Sequence, residues 1–286
     1  MLERYLIKAK ENLLAGFDSF RGKTSLHGKN PIFTYWYRGT RNFGDELTPA
    51  ILKKFGFTPL YTQKNNADLL FIGSILNGLQ NDFDGIIFGS GLQKDIVLNL
   101  PGAEVIAVRG ALTRDHIGAP DETFLGDPGL LAPMLINTDV QKEYVLGVVP
   151  HFLDKEDAFI KELKQRYPLE VKIIDVQRKP EKTIVDIASC EHILSSSLHG
   201  LITADSLNIP NAWVQLSGRR VGGDFKFQDY GSSIGRVYEP VPLRLPDDLN
   251  QMLNLTVSPN DKIQEKIHTL KKMLKNLLSR LTGNGR

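Results

Sequence analysis

Short apolar, β-branched runs recur along this chain, each followed by a stretch of helical spacing, and that alternation leaves few folds open. It is the pattern of an α/β protein built on parallel sheets. Residues 32–38 (IFTYWYR), 68–76, 85–92 and 104–109 read as buried strands, with helices at 44–55 and 111–117. A Pro-containing stretch at 126–133 (GDPGLLAP) then leads into polar 137–143. The alternation restarts beyond it, with strands at 144–150, 171–176, 192–196 and 211–216 and helices at 155–167, 180–189 and 199–207. The chain has 286 residues, enough for about two domains with cores of their own. The expected arrangement is two Rossmann-like βαβ domains, residues 1–140 and 141–250, facing across a cleft, with 251–286 as a basic helical tail. Ligand then belongs at the carboxyl ends of the strands.

Composition removes several classes of function. A single cysteine cannot close an internal disulfide, and no Cys/His cluster has zinc-ligand spacing, so no metal is expected. Residues 1–17 mix charge into their apolar pattern and lack a signal-peptide core, and no run approaches the ~18 apolar residues of a membrane span. The expected location is cytoplasmic. The net charge of +2 hides an uneven distribution: residues 259–286 carry seven Lys/Arg against Asp261 and Glu265. The remainder is mildly acidic, which argues against a nucleic-acid partner. In the tail, Ile263, Ile267, Leu270, Leu274, Leu277 and Leu281 recur at three- and four-residue steps, an amphipathic helix with a basic face. Packing on the protein's own body and peripheral contact with the inner face of a membrane both remain open for it. Three near-motifs fail. Residues 16–24 miss the P-loop spacing by one residue, the G-x-G at 89–91 lacks a third glycine, and no G-x-S-x-G elbow exists.

Polar residues gather instead where strands end. In 192–210 (HILSSSLHGLITADSLNIP) an apolar strand runs into Ser195, Ser196 and Ser197, and His199 and Gly200 open a helix. A helix N-terminus with serine hydroxyls suits a phosphate or carboxylate. His199 stands where that anion would lie, placed to gain a proton with it and act as a general acid; the alternative is serine capping beside a packed histidine. After the first strand, Asn42, Gly44 and Asp45 offer a helix cap, close backbone approach by a ligand, and an acceptor or base for sugar hydroxyls. Arg109 ends a buried strand, either gripping an anion bidentately or forming an internal ion pair, with Asp127 as the candidate partner. His151 follows the strand that opens the second half. The glycine-rich stretch 218–230, with Arg219 and Lys226, reads as a loop carrying cations over the cleft. Together these loops suit transfer of a small phosphate- and carboxylate-bearing donor onto a polyol.

The motifs NFGDELTP (42–49), VRGALTR (108–114), LGDPGLL (125–131), VVPH (148–151), SSSLHG (195–200) and FKFQDY (225–230) together resemble the polysaccharide pyruvyl transferase family. The resemblance covers about residues 30–235. It implies a GT-B-like fold and transfer of the enolpyruvyl group of phosphoenolpyruvate onto a hexose of a bacterial surface polysaccharide or its nucleotide- or lipid-linked precursor. Phosphoenolpyruvate is then a co-substrate, and no cofactor is expected. His199 matches the family's catalytic histidine, Arg109 its strand-end arginine on the donor's anionic end, and Asn42 and Asp45 its N-x-G-D motif nearer the acceptor. His199, Asp45 and Arg109 are thus the expected catalytic residues, with Asn42, Gly44, Asp127, His151, Ser195, Ser196, Ser197, Gly200, Arg219 and Lys226 binding substrate. Where many members carry Arg before Leu-His-Gly this chain has Ser197; either Lys226 or Arg219 replaces that charge, or the donor differs. Two other readings are a GT-B-like glycosyltransferase using a nucleotide sugar and a non-catalytic carbohydrate-binding subunit.

Overall fold

The computed structural model describes residues 30–136, 139–216, 223–243 and 248–283. Two parallel sheets divide the chain between them. In the first half the elements run β1 (Pro31–Tyr35), α1 (Phe43–Lys54), β2 (Thr58–Tyr61), β3 (Leu69–Leu70), β4 (Ile86–Phe88), β5 (Glu104–Val108), α2 (Ala111–His116) and β6 (Phe124–Leu125). A 3₁₀ helix, Pro128–Leu135, closes this half. The second half has β7 (Tyr144–Val149), α3 (Ala158–Arg166), β8 (Val171–Ile173), α4 (Pro180–Ala188), β9 (Cys190–Ser195), α5 (Leu198–Ser206), β10 (Asn211–Gln215), α6 (Phe225–Ile234) and β11 (Val241–Pro242). Helices α7 (Leu249–Asn254) and α8 (Lys262–Leu281) follow. The strand orders are β2-β1-β3-β4-β5-β6 and β11-β10-β9-β7-β8, every neighbouring pair parallel.

Alternation along the strands sorts side chains between cores. On β3, Leu69 enters the central cluster and Leu70 the outer one; on β4, Ile86 and Phe88 face inward and Ile87 outward. The same holds on β9 for Ile193 and Leu194. The central cluster takes its members from both sheets and from α1, α5 and α8. Helix α1 shows why local sequence suffices for its formation. Asn42 caps it by accepting from the Gly44 N–H at 3.2 Å, with Asp45 and Glu46 in the first turn and Lys53 and Lys54 in the last. The Phe43 N–H donates to Val176 O at 2.8 Å, tying the mouth of α1 to the second half.

Two expectations change here. The apolar run 68–76 pairs only over Leu69–Leu70, because the chain turns away at Gly73, whose φ of +110° suits glycine. The stretch 218–230 is not one loop: from Phe225 it is helix α6, so Lys226 lies in a first helical turn, while Arg219 falls outside the described residues. Helix α8 buries Ile263, Leu270, Leu274 and Leu277 in the central cluster. Near its start Asn260 Nδ2 donates to Ile234 O at 2.8 Å; further on, Lys266 Nζ donates to Leu125 O at 2.6 Å and Arg280 pairs with Glu104. The helix therefore straps the second half to the first sheet, leaving Lys271, Lys272 and Lys275 exposed. No described helix is long and apolar enough to cross a membrane.

Candidate active site

A cavity of about 370 Å³ opens where strands of both sheets end. The first half contributes Tyr35 and Tyr37 from the end of β1, Asn42 and Asp45 from the mouth of α1, and Ser74, Asn77 and Gln93 from the loops after β3 and β4. The second contributes His151 after β7, Ser197, Leu198 and His199 from the start of α5, and Lys226. Thus Asn42, Asp45, His151, Ser197, His199 and Lys226, separated by up to most of the described chain, meet around one space.

The serine turn divides its labour. Ser195 Oγ lies 3.0 Å from Val149 O and 2.8 Å from Ser197 O, and accepts from the Ser197 N–H at 3.0 Å. Ser196 Oγ donates to Asp154 at 2.6 Å and accepts from the His151 N–H at 2.8 Å. Both are braces, not ligand contacts, contrary to the sequence expectation. Their bonds spend the hydroxyls on the backbone and on Asp154, and only Ser197 faces the cavity. The first turn of α5 beside it leaves N–H groups without helical partners, the usual anion-binding end of a helix. Gly200 is also structural: a Cβ there would stand 2.3 Å from Ser195 Oγ. Gly44 serves His199 instead of a ligand, since its Cβ would stand 2.3 Å from His199 Nδ1.

The cavity gathers basic side chains that are held below their ordinary pKa. Burial, together with the Arg109 and Lys226 charges, pushes the His199 imidazole down to about 3. Burial and Arg109 bring the Lys226 ammonium down to about 8, against the pull of Asp45 and Asp154. Burial and Lys226 hold His151 near 4. An anion placed among these groups offsets the charge that holds each of them down.

Arg109 and Asp127 do not take the positions expected of them. Arg109 is fully buried and outside the cavity wall. Its Nε pairs with Asp229 at 2.8 Å, Nη1 donates to Ser74 Oγ at 2.6 Å, and Nη2 to Leu92 O. Asp229 in turn accepts from the Thr113 N–H and hydroxyl at 2.8 and 2.6 Å. The internal ion pair is therefore with Asp229, a residue on a helix the sequence did not suggest, and not with Asp127. Arg109 reaches the cavity through its field and through Ser74. Asp127, also fully buried, caps the 3₁₀ helix by accepting from the Gly129 N–H at 2.8 Å. Burial raises its carboxyl to about 6 against the pull of that bond and of Arg109. Sequence reasoning missed Ser74, Asn77, Gln93, Tyr35 and Tyr37; the signal for the first three was their position in loops after strands, weak without a partner motif. No group of His, Cys, Asp and Glu among the described residues has the makings of a metal site.

Comparison with known proteins agrees with the motifs. The family described as polysaccharide pyruvyl transferase matches residues 23–217. An uncharacterised protein of Acanthamoeba polyphaga mimivirus is 34% identical over 221 residues, 72% of this chain and 76% of that protein. The succinoglycan biosynthesis protein ExoV of Rhizobium meliloti (strain 1021) is 26% identical over 214 residues, 72% of this chain and 66% of its own length. Among solved structures, a functionally uncharacterised Klebsiella pneumoniae protein superposes with a TM-score of 0.39 at 14% identity, covering 78% of this chain and 97% of that one. A glycosyltransferase of avilamycin A biosynthesis gives 0.35 at 14% identity, covering 76% and 75%.

Proposed function

We propose that this chain, which belongs to the polysaccharide pyruvyl transferase family, transfers the enolpyruvyl group of phosphoenolpyruvate to a hexose of a surface polysaccharide or its nucleotide- or lipid-linked precursor, forming a pyruvate ketal. The observation that carries the reading is the cavity itself. The second half lines it with His199, Lys226 and the first turn of α5, the first half with Asn42, Asp45 and Lys64. The cations and the helix end suit a donor with phosphate and carboxylate; Asn42 and Asp45 offer hydrogen-bond acceptors of the kind sugar hydroxyls require. In this reading the two sheets are the lobes of a GT-B-like arrangement and the cavity is their cleft. The work of ExoV, named for succinoglycan biosynthesis, is consistent with a polysaccharide acceptor, and the exposed lysines of α8 offer an anionic membrane surface a place to rest.

The chemistry follows from the residues. Donor binding neutralises the cations that depress His199, which then holds a proton and delivers it to the donor's methylene carbon. A sugar hydroxyl adds to the resulting cationic C2, phosphate leaves, and a second hydroxyl closes the ketal. Lys226, the α5 amides and the more distant Arg109 neutralise phosphate throughout, and Lys226 supplies the charge that Ser197 lacks.

Thermal unfolding with phosphoenolpyruvate, with UDP and without ligand tests the donor. Saturation at ~100 times the dissociation constant adds ~2.7 kcal/mol, a rise of several degrees for a chain of this size. We expect that rise with phosphoenolpyruvate. A rise with UDP alone overturns the donor assignment in favour of a nucleotide-sugar transferase. His199→Ala is expected to keep its fold and lose ketal formation; turnover at the wild-type rate rejects the mechanism.

A further inference from the structure

Three buried side-chain atoms among the described residues lack a hydrogen-bond partner: His199 Nε2, Asp127 Oδ2 and Thr203 Oγ1. They fall at one interface. His199 and Thr203, four residues apart on α5, share a helix face, and Asp127 caps the 3₁₀ helix packed against α5. Gly129 marks the meeting point. A Cβ on it would stand 3.0 Å from Asp127 Oδ1, 3.2 Å from Ile202 Cγ2 and 3.3 Å from His199 Cδ2, the ring carbon bonded to Nε2. The Nδ1 edge of the ring is turned the other way, against Gly44 of α1. On either side of Gly129 lie the Asp127 carboxylate, whose Oδ2 has no partner, and the His199 ring, whose Nε2 has none; the two do not bond each other in this structure. A buried polar atom left unpaired keeps the full cost of its desolvation, and pairing the two removes it.

We propose that Asp127 is the positioning residue of His199: its carboxylate accepts the Nε2–H bond, holds the ring with Nδ1 toward the cavity, and stabilises the imidazolium while donor is bound. The inference rests on the pyruvyl-transfer reading. The charges acting on His199 are Arg109 from the end of β5 and Lys226 on α6; Asp45 on α1 and His151 after β7 line the same cavity, and Asp154 acts on Lys226 and His151. In the empty site Arg109 and Lys226 disfavour a proton on His199. A donor dianion offsets those two charges, and Asp127 supplies the remaining counter-charge behind the ring. Nδ1–H then gives its proton to the methylene carbon as the enol π pair forms the new C–H bond. The attacking hydroxyl forms the bond to C2, and the proton it loses returns to Nδ1. The phosphate C–O bond breaks next, and the second hydroxyl closes the ketal with its proton leaving alongside phosphate. Asp127 stays on Nε2 while donor is bound and touches no substrate.

Asp127→Asn keeps the shape and the cap on Gly129 but replaces the acceptor with a donor. For the variant we expect kcat to fall on the order of 10²-fold or more, with donor KM changed less than about threefold and the alkaline limb of the kcat–pH profile, set by the protonated His199, moved to lower pH. A merely structural role would lower the unfolding temperature without moving that limb. A kcat within about threefold of wild type, with an unmoved limb, overturns the inference. Should the variant fail to fold, ¹⁵N NMR of histidine-labelled wild-type protein with phosphoenolpyruvate or inorganic phosphate decides the matter. Nε2 of His199 carrying the proton supports the pair; a neutral ring protonated on Nδ1 alone overturns it. The NMR measurement needs no turnover. A wild type that makes no ketal but shows the Nε2 proton removes the functional reading and leaves the pairing standing.

Discussion

The end of β5 carries a buried arginine and the first turn of α6 a half-buried lysine, and both act on His199. Yet the two are used in opposite ways. Arg109 is enclosed by Asp229, Ser74 and the Leu92 carbonyl. Lys226 lies three residues before Asp229 on the same helix and faces the cavity, its ammonium brought down to about 8 by burial and by Arg109. Helix α6 thus supplies both the counter-charge that makes Arg109 a structural rivet and a charge that lines the cavity. A buried cation with a complete set of partners tells of architecture; one that lines a cavity at a cost in pKa is the one to test for a ligand.

The comparison breaks most easily at Arg109. Arg109→Ala strands Asp229 as an unpaired buried charge at a cost of ~3–5 kcal/mol, which for a chain of this size lowers the unfolding temperature by roughly five to eight degrees. Unchanged melting with lost donor binding would show instead that Arg109 is a ligand contact. Lys226→Met should do the reverse, leaving the unfolding temperature level or higher. Losing one charge-assisted hydrogen bond, ~1.5–3 kcal/mol, weakens phosphoenolpyruvate binding by about 10- to 100-fold. Calorimetric titration of the two variants separates the roles. The smallest effect is on pH-dependent stability. His199 and His151 are held near 3 and 4 in the fold, against ~6.5 when unfolded. Below about 6.5 the unfolded chain therefore binds more protons, and stability falls as pH drops toward 4. Asp127, raised to about 6, opposes this over part of the range, since its native form holds the extra proton. The net expectation is a lower melting temperature at pH 4.5 than at pH 7, with the slope reduced in His199→Gln.

Much of the architecture was legible in the linear pattern. The strands read from buried apolar runs, β1, β3, β4, β5, β7, β8, β9 and β10, lie in the sheets, though often shorter than their runs. The strands that were not read, β2, β6 and β11, are all at sheet edges. An edge strand pairs on one side only, so it tolerates Pro59 in β2 and needs no apolar run. Helix α6 was read as a loop because its glycine-rich approach and the polar Gln228, Asp229 and Ser233 mask its buried face. Inward-facing Asp229 is explained only by Arg109, 120 residues earlier.

The sequence by itself determined that two parallel-sheet halves would form and that polar chemistry would collect where their strands end, because periodicity and caps are local properties of the chain. It also singled out His199. Tertiary structure decided which neighbours of that histidine reach the cavity. Asn42, Asp45, His151, Ser197 and Lys226 line it, whereas Arg109, Asp127, Ser195, Ser196 and Gly200 do not, and Gly44, between Asn42 and Asp45, packs on His199 Nδ1. That division depends on which hydrogen-bond and charge partners arrive from the rest of the chain. A motif lists the groups, but only packing determines which are already satisfied.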